Sequence, residues 1–179
     1  MVPGHSMRTY SVSFDKSNPN IVLTGGWDER TVIWDLREET PIRSMFGTYI
    51  CGDSIDLFDD IVLTASYREE DQLQQWDFGT GKLIKTIKWN EKGSFKASDD
   101  PCQLYCCSYS KGDGSLILAG GATANEAKLF DRNELETQIA TVYDVSREIN
   151  SCDFANHGGW FCLSGGDGYL RVYFLNIVA

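Results

Sequence analysis

The chain is 179 residues long and 42% hydrophobic, which is enough apolar material for the core of one ordinary domain. Sixteen basic against twenty-six acidic side chains leave a net charge of −10. That balance excludes a nucleic-acid binder working through clusters of lysine and arginine. No apolar run approaches the ~18 residues of a membrane span, and Met1-Val-Pro-Gly-His5 carries no apolar leader, so no membrane association is expected and the expected location is cytoplasmic or nuclear.

In chain order, the first predicted unit opens on a strand anchored at Thr9, Val12 and Phe14. An apolar run at 21–26, a strand at 31–36 and an outer strand at 41–46 complete it. The second unit has looser first-strand anchors, Ile55 and Leu57, then 61–66, 72–78 and 83–89. A polar segment, 90–100, separates it from the third unit. That unit starts on Leu104, Cys107 and Tyr109 and continues through 116–121, 126–132 and 136–143. The fourth starts on Ile149, Cys152 and Phe154, runs through 161–166 and 170–175, and has no outer strand. Short β-branched runs bounded by Gly and Asp are strand signals, and no long stretch keeps helical spacing. The units end on Trp34-Asp35, Trp76-Asp77, Phe130-Asp131 and Tyr173-Phe174, spaced 42, 54 and 43 residues apart. A period of ~40–45 residues built from short strands predicts an all-β propeller whose blades fall at about 4–47, 48–89, 101–144 and 147–176.

The stretch Gly25-Gly-Trp-Asp-Glu-Arg-Thr-Val-Ile-Trp-Asp35, with Gly4-His5 standing 28 residues ahead of Trp34-Asp35, resembles the signature of the WD-repeat propeller family. The resemblance covers roughly residues 4–175. It implies a structural tetrad of His5, Thr24, Asp28 and Trp34 in blade 1, in which a buried indole N–H, a hydroxyl, an imidazole and a carboxylate satisfy one another. By the same alignment blade 4 keeps Ser164 and Asp167 with Tyr173 for the Trp. Blade 2 keeps Thr64 and Trp76 but carries Glu70-Asp71 in place of a single Asp. Blade 3, with Ala119, Ala124 and Phe130, reads as an apolar version with nothing to satisfy. Blade 1 is accordingly expected to be the most rigid.

The family's function is protein or peptide recognition on one face of the ring. Carried over by position, that face would present Arg8, Tyr10, Trp27, Asp53, Tyr67, Tyr105 and Asn150, with Gln103 and Glu148 beside them. Trp, Tyr and Arg are the residue types enriched at binding hot spots. Trp27 is either exposed for a partner or packed on a neighbouring loop. Tyr10 and Tyr105 turn inward if their strands carry a bulge. The 90–100 segment either folds over a bound peptide or is a plain insertion.

Little is left for catalysis. His5 belongs to the tetrad, and His157 sits in a Gly-rich turn. The segment 111–115, Lys-Gly-Asp-Gly-Ser, lacks the features of a phosphate loop and reads as a hairpin turn. Asp53, Asp56, Asp59 and Asp60 lack calcium-loop spacing. Six cysteines without paired C-x-x-C spacing read as free thiols, with Cys107, Cys152 and Cys162 at inward strand positions. A non-enzymatic module without cofactor or metal is expected, with an enzyme whose site lies in the central channel as the lesser alternative. Propellers close with ~4–8 blades, and the resemblance implies a ring of about seven or eight, so four blades make half a ring. The ring is expected to close with a second copy, as a homodimer, or with a different chain. A half ring would otherwise expose two apolar faces and a strand edge.

Overall fold

The computed structural model describes residues 4–90, 98–134, 137–157 and 159–176. Among these the chain forms fifteen strands and no helix, arranged as four antiparallel sheets in simple chain order. Blade 1 is β1 (Thr9–Phe14), β2 (Ile21–Gly26), β3 (Arg30–Asp35) and β4 (Pro41–Phe46). Blade 2 is β5 (Ile55–Phe58), β6 (Ile61–Ala65), β7 (Leu73–Asp77) and β8 (Leu83–Ile87). Blade 3 is β9 (Cys102–Tyr109), β10 (Leu116–Thr123), β11 (Ala127–Asp131) and β12 (Thr137–Val142). Blade 4 has three strands, β13 (Ile149–Phe154), β14 (Trp160–Gly165) and β15 (Leu170–Phe174). Most of the 90–100 segment lies outside the described residues, as does Glu136, the expected start of the third outer strand.

The first hairpins of blades 1, 3 and 4 share a β-bulge. Pairing steps from Thr9–Gly26 to Ser11–Gly25, from Leu104–Gly121 to Cys106–Gly120, and from Ile149–Gly165 to Ser151–Ser164. The residues passed over are Tyr10, Tyr105 and Asn150. One extra residue explains why Thr9, Val12 and Phe14 stand three and then two apart although strand faces alternate every two. Opposite each bulge the backbones approach closely, and a Cβ on Gly26, Gly121 or Gly165 would collide with the carbonyl of Arg8, Gln103 or Glu148.

That shared geometry also sets the register of blade 4. Val12 pairs with Thr24, and the matching Cys152 pairs with Leu163. Leu163 is therefore the counterpart of Thr24, and Ser164 sits where blade 1 has Gly25. The expected tetrad role of Ser164 is thus corrected: the β14–β15 turn has the same length as the β2–β3 turn, Thr24 pairing with Val32 as Leu163 pairs with Arg171, so counting back from Asp167 reaches Leu163 and not Ser164. Leu163 is buried in the apolar layer between blades 3 and 4.

Each blade has a leading face toward the next blade and a trailing face toward the previous one. Ile21, Leu23 and Ile33 lead from blade 1 onto the trailing Ile55, Leu57, Val62 and Trp76 of blade 2. The same scheme joins Leu63 and Ala65 to Ile117 and Phe130, then Leu116 and Leu118 to Phe154 and Phe161. The two end faces have no such cover. Val12 and Phe14 pair with Thr24 and Val22 just as Ile55 and Leu57 pair with Thr64 and Val62. Yet Ile55 and Leu57 are 3% and 6% exposed, whereas Val12 and Phe14 are 61% and 58% exposed. These two expected inward anchors face solvent because no blade precedes them. At the other end Trp160 and Val172, the counterparts of Ile21 and Ile33, are 48% and 56% exposed. Cys162 shares that open face as the counterpart of Leu23 and is only half-buried, a correction to its inward assignment.

Candidate functional site

In blade 1 the residues His5, Thr24, Asp28 and Trp34 form one hydrogen-bonded chain. Trp34 Nε1 donates to Thr24 Oγ1 at 2.7 Å, Thr24 Oγ1 lies 2.8 Å from His5 Nε2, and His5 Nδ1 lies 2.8 Å from Asp28 Oδ1. The directions are self-consistent when the hydroxyl donates to Nε2 and Nδ1–H donates to the carboxylate. The sequence reading missed Arg30. Its guanidinium reaches Asp28 Oδ2 at 3.1 Å and the Gly4 carbonyl at 2.6 Å, clamping the N-terminal segment to the β2–β3 turn. Burial pushes the Asp28 carboxyl up, but hydrogen bonds from His5, Ser6 N–H and Arg30 outweigh it and hold the group below its ordinary value. A hydroxyl, an imidazole and a carboxylate in series also describe a nucleophilic triad. Here the Thr24 hydroxyl is occupied by the Trp34 indole, which assigns the chain to structure.

The other blades diverge. Trp76 donates to Thr64 Oγ1 at 2.8 Å in blade 2. There Arg68 organises the turn, reaching the Gly47 carbonyl at 2.6 Å, the Asp71 carbonyl at 3.0 Å and Gln74 Oε1 at 2.7 Å. In blade 4 Asp167 pairs with Arg171 at 2.5 Å. In blade 3 the tetrad positions Ala119, Ala124 and Phe130 lie in the apolar core, but a polar group that the sequence reading missed is buried beside them. Lys128 is fully buried, with its ammonium 3.6 Å from Glu126 Oε1 and 2.8 Å from both the Trp89 carbonyl and Asn90 Oδ1. Trp89 Nε1 in turn donates to Glu126 Oε1 at 2.6 Å, and the ammonium lies over the Trp89 ring at 5.2 Å.

One end of the blades carries a row of aromatic side chains on backbone segments that hydrogen-bond within and between blades. Trp27 N–H donates to the Arg8 carbonyl, Ile50 N–H to Gly26, Tyr67 N–H to Tyr49 and Leu104 N–H to Ser66. Trp27 is half-buried. Its ring lies 5.1 Å from that of Tyr10 and under the Arg8 guanidinium at 5.4 Å, and its indole N–H donates to Cys51 Sγ at 3.1 Å. Trp27 thus packs on the neighbouring loop and stays only partly exposed. Tyr67 and Tyr105 lie 4.9 Å apart. Burial first, and then a hydrogen bond with the Tyr67 hydroxyl, push the Tyr105 phenol up to about 12. Tyr49, which the sequence reading missed, stands close enough to Cys51, Tyr10, Glu29 and Tyr67 for their charges to add to burial in raising its phenol. Tyr49 and Tyr105 are therefore neutral at ordinary pH. The bulges are what turn Tyr10 and Tyr105 outward, the opposite of the inward turn a bulge was expected to impose. Asn150 is exposed at the matching bulge of blade 4.

Asp53 belongs instead to the mouth of the central channel, where the first strands of the four blades converge on a cavity of about 260 Å³. There Lys16 reaches Asp56 at 3.2 Å and Lys111 reaches Asp153 at 2.6 Å. Ser108 Oγ bridges Asp56 and Asp153 at 3.4 and 3.3 Å, so the charges form a chain across all four blades. Burial, and then the charges of Asp153 and Asp56, push the Asp53 carboxyl up. No group of three or more His, Cys, Asp or Glu among the described residues is placed to hold a metal ion. No helix among the described residues is long and apolar enough to cross a membrane. His157 is exposed in its turn.

The family model described as "WD domain, G-beta repeat" matches residues 1–35 and 137–173, the segments that hold β1 to β3 and β12 to β15. Among solved structures, the computationally designed Ika4 protein is 18% identical at a TM-score of 0.74, covering 98% of this chain and 96% of that one. The computationally designed Ika8 protein is also 18% identical, at 0.72, covering 97% of this chain and 48% of that one. A chain in the "Crystal Structure of Mitotic Checkpoint Complex" is 15% identical at 0.77, covering 97% of this chain and 52% of that one. This chain therefore spans about half the length of two of these three. The four blades, the blade 1 hydrogen-bonded chain and the matched repeats define a propeller protein. By fold the chain is a β-propeller of the WD-repeat type, with WD repeats matched at residues 1–35 and 137–173, and such propellers generally mediate protein interactions.

Proposed function

We propose that the chain is a non-enzymatic interaction scaffold that captures a protein or peptide on the face carrying Arg8, Tyr10, Trp27, Tyr67 and Tyr105, with Asp53 and Asn150 at its margins. The observation that supports this most is the row of aromatic side chains at this end of the blades, with Tyr10 and Tyr105 carried on outward bulges. Large, stiff, amphipathic rings bury much area on binding at little entropic cost. The Lys16, Asp56, Ser108, Lys111 and Asp153 groups of the channel and the groups of the blade 1 chain are engaged with one another, which favours a structural over an enzymatic role for them. Six free cysteines, four of them buried, favour a reducing location in the cytoplasm or nucleus.

A second copy completes the ring in this reading. The leading face of blade 4 is of the kind that covers a trailing face such as blade 1's, and two copies joined head to tail close an eight-bladed ring with two-fold symmetry. A different chain that supplies four blades is the alternative.

Immobilised chain is to be compared with Tyr10→Ala and Trp27→Ala for the proteins each retains, with melting temperature as the control for fold. The reading expects capture to fall in both variants at unchanged melting temperature. Undiminished capture would place the binding surface elsewhere.

A further inference from the structure

Resting on that reading, the chemistry of the face also selects its partner. Two features, one at the seam of blades 2 and 3 and one on blade 2, adjoin each other. The first is the Tyr67–Tyr105 pair, two rings 4.9 Å apart and tilted by 35°, both half-buried. The negative face of an aromatic ring attracts a cation, and this face already shows the contact once, with the Arg8 guanidinium over Trp27. The second begins two residues after Tyr67. It is a cleft of about 370 Å³ between the β6–β7 turn and the residues after β8, lined among the described residues by Glu69, Glu70, Asp71 and Asp99 together with Lys88. Arg68, between the two, turns its guanidinium toward Gly47, Asp71 and Gln74. Glu148 adds negative charge beside Tyr105, and the chain as a whole carries −10.

We propose that this face takes a basic peptide segment, with one guanidinium or ammonium group over the Tyr67–Tyr105 pair and the adjoining basic side chains in the acidic cleft of blade 2. Aromatic rings hold the first cation where water is partly excluded, and the carboxylates set the direction in which the peptide runs. An arginine suits the first position best, because a planar guanidinium stacks on a ring as Arg8 does on Trp27.

The test is titration calorimetry of the full chain at physiological ionic strength with three short capped peptides. One alternates arginine with glycine, one replaces arginine by uncharged citrulline, and one replaces it by glutamate. The arginine peptide is expected to bind, and the citrulline peptide to bind about tenfold more weakly or worse, the size of one partly desolvated cation–π contact. Tyr67→Leu and Tyr105→Leu should each cost about the same factor at unchanged melting temperature, and Glu69→Gln with Glu70→Gln should flatten the salt dependence. Equal binding of arginine and citrulline peptides overturns the proposal. So does arginine binding that Tyr67→Leu leaves untouched, which would be attraction by net charge alone. If a citrulline or glutamate peptide binds best and still depends on Tyr67, the scaffold reading stands and the basic partner falls. If no peptide depends on Tyr67 or Tyr105, both fall. Should Tyr105→Leu fail to fold, Tyr67→Leu and the citrulline comparison decide.

Discussion

Blades 1 and 3 each bury a polar chain, and they satisfy it with different residues. In blade 1 the carboxylate of Asp28 accepts from His5, Ser6 and Arg30, so its folded-state value lies below the ordinary 3.8. A depressed carboxyl contributes stability that is present above the unfolded value and lost as pH falls through the folded one. Asp28→Asn should therefore cost about 1.5–3 kcal/mol at neutral pH, the range for hydrogen bonds to a charged group. The gap from wild type should close as the pH is lowered below about 4. Urea unfolding of both proteins across that range measures it; a gap that stays constant would show that the charge is immaterial. In blade 3 the Lys128 ammonium depends on Glu126 and the Trp89 carbonyl. Glu126→Gln leaves that cation buried without its counter-charge and should cost about 3–5 kcal/mol. Adding Lys128→Met should recover most of the loss, since the new side-chain amide can still accept the Trp89 indole N–H. A double variant less stable than the single one would contradict this.

At the scale of strands and hairpins, the bulge opposite Gly26, Gly121 and Gly165 is the repeated device. It sets the phase of the inner strand and throws Tyr10, Tyr105 and Asn150 out of it. Gly121→Ala should be destabilising by about 1–3 kcal/mol, the range for overpacking, because the new methyl meets the Gln103 carbonyl, a backbone atom that cannot swing away. Thermal unfolding reads this directly, and a neutral result would mean the bulge is plastic. The repeat phase made the strands legible in the sequence, since each unit spells its own alternation and ends on an aromatic. The register of blade 4 was not legible, because Ser164-Gly165-Gly166 reads like Thr24-Gly25-Gly26 until the strand pairing sets Leu163 opposite Cys152 as Thr24 is set opposite Val12. Nor was the Trp89–Glu126–Lys128 group, in which Glu126 and Lys128 lie 37 and 39 residues from Trp89 and follow no repeat position. The inward anchors Val12 and Phe14 were identified by type but not by setting: strand pattern tells which face is apolar, and only the ring tells what covers it. On the candidate face, Arg8, Trp27 and Tyr67 could be read from repeat position, whereas Tyr49 and Cys51 sit in a loop with no pattern to mark them.

At the scale of the whole molecule, the apolar layers between consecutive blades are each built from one leading and one trailing face. The chain has three such layers and one unmatched face of each kind. Val12 and Phe14 are left at one end, Trp160 and Val172 at the other, and burying each such side chain is worth about 1.5–3 kcal/mol. Because a head-to-tail joint uses both kinds of face, Val12→Asp and Val172→Asp should each weaken association, and each should leave the melting temperature of the separated chain nearly unchanged. A joint between two like faces would respond to only one of them. The most direct measurement is the mass of the pure chain in solution by light scattering behind a sizing column. The account predicts twice 20.1 kDa, falling toward 20.1 kDa in either aspartate variant. A wild-type mass of 20.1 kDa at every concentration would contradict closure by a second copy.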